Sequence, residues 1–303
     1  MKTDTRQNRV WMDLRVMLDE KPKEFEFVLP GLLPGTVGTL VAPGATGKSF
    51  LALEIAFEVA SGCKLIGLAQ TCGRVVVYSG EDPELPLSHR IHAIGNHLSA
   101  ECKKKVVENL SIADAVGNSM NVTWYSELGQ IIEECAGAKL IIFDTLSRFH
   151  DKDENSNEDM SLVMGAFEHI AKATGAAVIF LHHVAKGVAK NNDYSQQASR
   201  GAGALIDNAR WGAYMARMTE NDLKDLYVQD DDPKWREIEP INVPLKSVGK
   251  DDMWKYVRFG VNKLNYGHFV NEMWLERAAG GVLLPARFYD VEGNLISSGQ
   301  SPV

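Results

Sequence analysis

The 303-residue chain is predicted to be an α/β protein with a mostly parallel central sheet flanked by helices and C-terminal antiparallel strands. Two observations carry that prediction. From Thr36 onward, near-continuous apolar runs alternate with amphipathic stretches, as strands buried on both faces require. After residue 208 the alternation stops, and successive short runs joined by turns predict antiparallel additions to the sheet.

The elements follow in order. Residues 10–18, "VWMDLRVML", put Val10, Trp11, Leu14, Met17 and Leu18 on one helical face. "DEKPKEFEFVLPGLLPG" then has the prolines and glycines of an extended connector. Strands are expected at 37–42, 74–79, 109–113, 139–144 and 176–182, and helices at 48–61, 84–97, 99–108, 124–136 and 157–174. Segments 211–218, 253–263, 268–277 and 281–284 read as the later strands. Between them, 220–252 is charged and proline-containing, and is expected to be a mobile insertion. The resulting division is an N-terminal helix and connector over 1–30, a core over 31–285 and a tail over 286–303.

With 45% hydrophobic and 24% charged residues, the chain can bury a sizeable core. Its net charge of −8 argues against a surface coated for nucleic acid but leaves room for a local basic loop. Cys63, Cys72, Cys102 and Cys135 form no C-x-x-C pair, so they are expected to be reduced packing thiols in a cytoplasmic protein. No apolar run approaches a membrane span, and "MKTDTRQNRVWMDLR" lacks a signal-peptide core.

The chemistry begins at "LVAPGATGKSFLALEIA", which matches G-x-x-x-x-G-K-[ST] except that Ala42 replaces the first glycine. A buried strand precedes it and an apolar helix follows, the context of a phosphate cradle and not of an ordinary glycine turn. Ala42, Pro43, Gly44, Ala45, Thr46, Gly47, Lys48, Ser49 and Phe50 are the candidate nucleotide-binding residues. Gly44 and Gly47 are expected to let the backbone turn its N–H groups toward an anion. Lys48 can reach the β- and γ-phosphates and the Ser49 hydroxyl can sit on Mg²⁺.

Three strand ends supply candidate partners. "KLIIFD" ends in Asp144, placed to organise Mg²⁺, or alternatively to cap the next turn. "VVVYSGEDPE" offers Glu81 and Asp82 as a base for the attacking water, Glu81 preferred; either acid can instead simply favour the following helix start. "AVIFLHHVAKG" places His182 and His183 on opposite faces of a strand, where they cannot easily share a metal. An isolated histidine there would ordinarily be a satisfied core residue.

Together, "APGATGKSFLALEIA", "YSGEDP", "HRIHAIGNHLSAE", "FDTLSRFH", "FLHHVAKG", "QQASRGAGALIDNARW" and "VRFGVNKLNYG" resemble the RepA replicative helicases of IncQ-type broad-host-range plasmids. The resemblance spans about residues 27–285. It implies a RecA-like P-loop ATPase core using ATP and Mg²⁺, a homo-oligomeric six-membered ring, and 5′-to-3′ unwinding in plasmid replication. It further implies that Lys48 and Ser49 hold phosphate and metal, Glu81 is the catalytic acid, Asp144 organises Mg²⁺ and His183 senses the γ-phosphate. Arg210, in "NARW", matches the position of an arginine finger offered to the neighbouring subunit. Lys263, in "NKLNYG", resembles a related lysine, but the arginine that usually follows is Asn265 here, which shifts weight to Arg210.

DNA contacts are expected in two loops. In 185–201, "AKGVAKNNDYSQQASRG", Lys186 and Lys190 would track phosphates of single-stranded DNA, with Tyr194 stacking on a base or facing solvent. In 147–159, Arg148 is the basic member. Neither loop is strongly basic, so without the resemblance both read as surface loops. No primase or origin-binding segment is evident, so a primase and an initiator would be separate partners. Two other functions stand beside the helicase. One is a RecA- or RadA-like recombination or repair ATPase; the other is an ATP-switched regulator that does not translocate.

Overall fold

Val37–Ala42 (β1) is buried at all six positions because it lies in the middle of a nine-stranded sheet. The computed structural model describes residues 11–118, 120–183, 203–224, 226–229, 245–267 and 272–297. Beside β1 run Ala177–His183 (β5), Leu140–Asp144 (β4), Val75–Ser79 (β2) and Leu110–Asp114 (β3), all parallel. On the other side Trp211–Arg217 (β6) is also parallel to β1. Tyr256–Leu264 (β9), Met273–Arg277 (β10) and Leu283–Pro285 (β11) then extend the sheet antiparallel. The fold is RecA-like α/β, as the sequence led us to expect.

Side chains alternate between two cores, as strand geometry dictates. Leu140, Ile142, Val75 and Val77 face Lys48–Ser61 (α2), Glu84–Gly95 (α3) and Ala100–Asn109 (α4). Ile141, Phe143, Val76 and Tyr78 face Tyr125–Glu134 (α5) and Asn157–Thr174 (α6). On that second face Phe143 stacks on Tyr78, with centroids 5.1 Å apart, and meets Phe149 edge-on at 5.2 Å. Both α2 and α6 end where a glycine takes the left-handed conformation, Gly62 and Gly175.

Three sequence expectations change. Leu14–Asp19 (α1) forms, but Leu14, Met17 and Leu18 are exposed and the helix buries none of its residues. Its six residues are too few to lay a continuous stripe on the core. The stretch 220–252, described in part, is not simply a mobile insertion. Tyr227–Gln229 (β7) and Leu245–Ser247 (β8) pair, and they join Phe288–Tyr289 (β12) and Leu295–Ser297 (β13) in a second, four-stranded sheet. Leu226, Val248, Trp274 and Phe288 give this sheet its own apolar cluster. Finally, Cys63 and Cys102 are not free thiols. They are disulfide-bonded with Cα atoms 6.1 Å apart, because the C-terminal end of α2 packs against α4. Cys72 and Cys135 remain free. Gly203–Asn208 (α7) leads into β6. Among the described residues, no helix is long and apolar enough to cross a membrane.

Helix α2 is enclosed on nearly every side, yet carries Glu54 and Glu58. Glu58 accepts five backbone N–H groups, from Leu65 to Ala69, at 2.5–3.1 Å. Glu54 accepts one, from Leu283 at 2.6 Å, and its other oxygen has no partner among the described residues. Burial therefore pushes Glu54 up from its ordinary 4.5 to about 9. The folded state holds this proton where the unfolded chain releases it. The associated stability is present below about pH 4.5 and is lost progressively as pH rises to about 9, by at most about 1.4 kcal/mol per pH unit. Thermal melts from pH 5 to 9 should show the decline, and Glu54→Gln should flatten it and melt higher than the native chain at pH 8.

Candidate functional site

The loop between β1 and α2 opens at the carboxyl edge of the sheet, beside the ends of β2, β4 and β5. Ala42 is still within β1, fully buried and paired with His183. A glycine is not needed at that position, since the backbone there is ordinary strand. The turn comes later. Gly47 is left-handed at φ 101°, and the other left-handed residue is Ala45 at φ 58°, not Gly44 as the loop sequence suggested. An alanine in that conformation costs roughly 1–2 kcal/mol, so tertiary contacts must hold it. Thr46 Oγ1 donates to Pro43 O at 2.8 Å, Arg217 Nη2 donates to Gly44 O at 2.6 Å, and Arg277 donates to Thr46 O. The sequence singles out neither arginine, because each lies more than 170 residues from its partner and at the end of an unremarkable strand.

A pocket of about 250 Å³ lies over this loop, lined among others by Lys48, Ser49, Phe50, Glu81, His183 and Arg277. Lys48 opens α2, only 4% exposed, and its Nζ has no hydrogen-bond partner among the described residues. Burial lowers its pKa while Asp144 and Glu81 act to raise it. Asp144, at the end of β4, is 5% exposed, and its Oδ1 has no hydrogen-bond partner among the described residues. Burial pushes its carboxyl up to about 6. A buried cation and a buried carboxylate oxygen, both without partners among the described residues, suit an anion with a divalent cation between them. Gly44 has open space beside its Cα, so an anion can approach the loop's backbone there.

Beyond β2, Glu81 and Asp82 diverge. Glu81 is exposed to the pocket, with Oε1 3.2 Å from His183 Nε2. Asp82 is held by Arg90 through contacts of 2.5 and 3.1 Å, and Arg90 lies 5.2 Å over the Phe50 ring. His182 points the other way into the protein, where burial and then Lys48 push it down to about 4. Arg148 follows the cis Asp144–Thr145 peptide; its Cβ lies 2.7 Å from where a Cβ on Gly80 would sit, which restricts residue 80 to glycine.

Arg210 is elsewhere. It precedes β6, its N–H donating to Val37 O at 2.8 Å, at the amino edge of the sheet. The length of β1, roughly 17 Å at 3.3 Å per residue, separates it from its own phosphate loop. Lys263 lies on the same edge, with Nζ 2.6 Å from Asp207 O. Burial lowers the Lys263 pKa, and the nearby Arg210 acts in the same direction. Lys186, Lys190 and Tyr194 lie outside the described residues, so the structure says nothing of the 185–201 loop.

The chain is similar in fold to several solved proteins. One solved ATPase domain superposes with a TM-score of 0.53 at 15% identity, covering 83% of this chain and 84% of that one. A DnaB-like replicative helicase, in a structure that treats its interactions with primase, gives 0.53 at 16% identity. That match covers 83% of this chain but 57% of the helicase. The RadB recombinase gives 0.50 at 11% identity, covering 86% of this chain and 93% of that one. Residues 4–189 match the AAA domain family, more than half of the chain and including every loop residue described above, and the chain belongs to that family.

Proposed function

We propose that the protein is an ATP-driven replicative DNA helicase of the RepA type, a hexameric ring that moves 5′ to 3′ on single-stranded DNA in plasmid replication. The observation that carries the ATPase part is the meeting of Lys48 Nζ and Asp144 Oδ1, both without partners among the described residues, with the exposed Glu81–His183 pair near one pocket. Lys48 and the loop amides bind the β- and γ-phosphates. Mg²⁺, held by Ser49 and organised by Asp144, would neutralise charge on the phosphates. Glu81 orients and deprotonates the attacking water, and His183, at 3.2 Å, couples that carboxylate to the strand beside the loop. Asp82 is not the base, because Arg90 occupies both of its oxygens.

Ring assembly rests on the position of Arg210. It cannot reach its own phosphate loop across the length of β1, so its charge would serve a nucleotide in a neighbouring subunit. Likeness to a DnaB-like replicative helicase supports the helicase reading, and likeness to an ATPase domain supports the hydrolysis that unwinding requires. Likeness to RadB, over nearly its whole length, favours the recombinase alternative, for which electron microscopy would show filaments on single-stranded DNA instead of closed rings. Lys186, Lys190 and Arg148 are proposed to contact DNA, and the division into 1–30, 31–285 and 286–303 is proposed to separate connector, motor and tail.

A strand-displacement assay tests the whole reading. With ATP and Mg²⁺ the native chain should release the strand from a 5′-tailed duplex and not from a 3′-tailed one, and Lys48→Ala should release neither. Release from the 3′ tail alone would reverse the polarity, and turnover by Lys48→Ala would remove the nucleotide site. Glu81→Gln should retain nucleotide binding but lose about 10²–10⁴-fold in hydrolysis, measured as phosphate release. Asp82→Asn should keep most of its turnover; the opposite pattern would make Asp82 the base. Mixing Arg210→Ala with Lys48→Ala subunits should restore part of the ATPase activity, because some boundaries then pair an intact loop with an intact Arg210. Co-assembled mixtures no more active than either variant alone would rule the finger out.

A further inference from the structure

A loop that binds phosphate through its amides must turn its carbonyls away from the anion, and in a half-buried loop those carbonyls need donors of their own. Here the donors come from three sources. Thr46 Oγ1 serves Pro43 O at 2.8 Å, and Leu51 N serves Gly47 O at 3.0 Å as the first bond of the helix. The carbonyls of Gly44 and Thr46 are served by Arg217 and Arg277, which lie on β6 and β10. We propose that these two arginines are positioning residues for the phosphate loop of their own subunit. They hold its amides toward the anion in a sequence that lacks the first glycine and places alanine at the left-handed turn.

The geometry of Arg277 is that of a brace. Its Nε donates to Trp254 O at 3.2 Å, in the 3₁₀ turn Lys250–Lys255, while another nitrogen donates to Thr46 O. Its Nη1 lies 2.9 Å from the position a Cβ on Gly47 would take. The guanidinium thus spans from the appended part of the chain to the loop, over Gly47, the residue that precedes α2. A planar fork with five donors makes both bonds at once, whereas a lysine ammonium on a flexible stem would hold one carbonyl or the other. Arg217 bonds a second loop carbonyl, Gly44 O, at 2.6 Å. Residue 45, with φ 58°, lies between the two anchored carbonyls. Both arginines also bring positive charge to the rim of an anion site.

This inference rests on the nucleotide site proposed above, and titration calorimetry of the full chain with ADP, ATP and inorganic tripolyphosphate separates the two. Arg277→Ala should weaken all three by the same factor, about tenfold or more, the usual effect of losing a charge-assisted hydrogen bond. Arg217→Ala should weaken them in the same parallel way, and Arg277→Lys should fall between Arg277→Ala and the native chain. Should Arg277→Ala fail to fold, Arg277→Lys and Arg217→Ala decide the matter. Unchanged affinity in these variants would overturn the proposal, as would a loss confined to ATP, which would put the arginine on the γ-phosphate itself. A native chain that binds tripolyphosphate but neither nucleotide would sink the nucleotide reading while leaving the arginine comparison readable. One that binds none of the three would sink both.

Discussion

The enclosure of α2 is the constraint from which most of the structure follows. From Leu51 to Ser61 every residue of this helix is buried, packed between the sheet, α4, β11 and the connector. A helix in that setting has no face on which to leave a charge, yet it carries Lys48, Glu54 and Glu58. Each is resolved differently. Glu58 is surrounded by five amides of the loop that follows the helix. Glu54 keeps its proton and takes one amide from β11. Lys48 finds no partner among the described residues. Packing satisfies Glu58, leaves Glu54 protonated with one amide, and leaves the cation at the helix start to a ligand, where the helix dipole also favours an anion.

The same constraint explains why the antiparallel strands belong to the main core and are not an ornament on it. β10 does three jobs along its length. Met273 and Leu275 enter the main core, Trp274 enters the cluster of the small sheet, and Arg277 reaches the phosphate loop. β11 supplies the amide that Glu54 needs. Removing these strands would expose one side of α2 and release the Thr46 carbonyl together.

Whatever a local pattern encodes is legible in the sequence. The helix at 48–61 and the strand at 37–42 have the ends expected of them, because a glycine-bounded apolar run leaves little choice. Lys48, Ser49, Glu81, Asp144 and His183 can be found because strand ends in a parallel sheet share one edge, so motifs far apart in sequence meet there. Long-range pairings are not legible. The small sheet is built from strands of two or three residues, below the length at which alternation can be read. The Cys63–Cys102 bond spans 39 residues with no motif around it. The arginines on the loop carbonyls are single residues at strand ends, and their role depends on register.

The cations divide by the edge of the sheet they occupy, and that division follows from strand direction alone. β1 and β6 are parallel, with Gly38 opposite Trp211 and Val41 opposite Tyr214. The residue before β6 therefore lies at the amino edge and the residue ending it at the carboxyl edge. Arg210 is the first and Arg217 the second, at opposite ends of one strand. Arg217 reaches the loop of its own chain, while Arg210 is directed away from it by the full length of the strand. β9 runs the other way, which returns Lys263 to the edge that holds Arg210. One strand thus carries a cation for the phosphate loop beside it and another that this loop cannot use. A chain built this way has Arg217 and Arg277 on the phosphate loop at one edge of the sheet and Arg210 with Lys263 at the other.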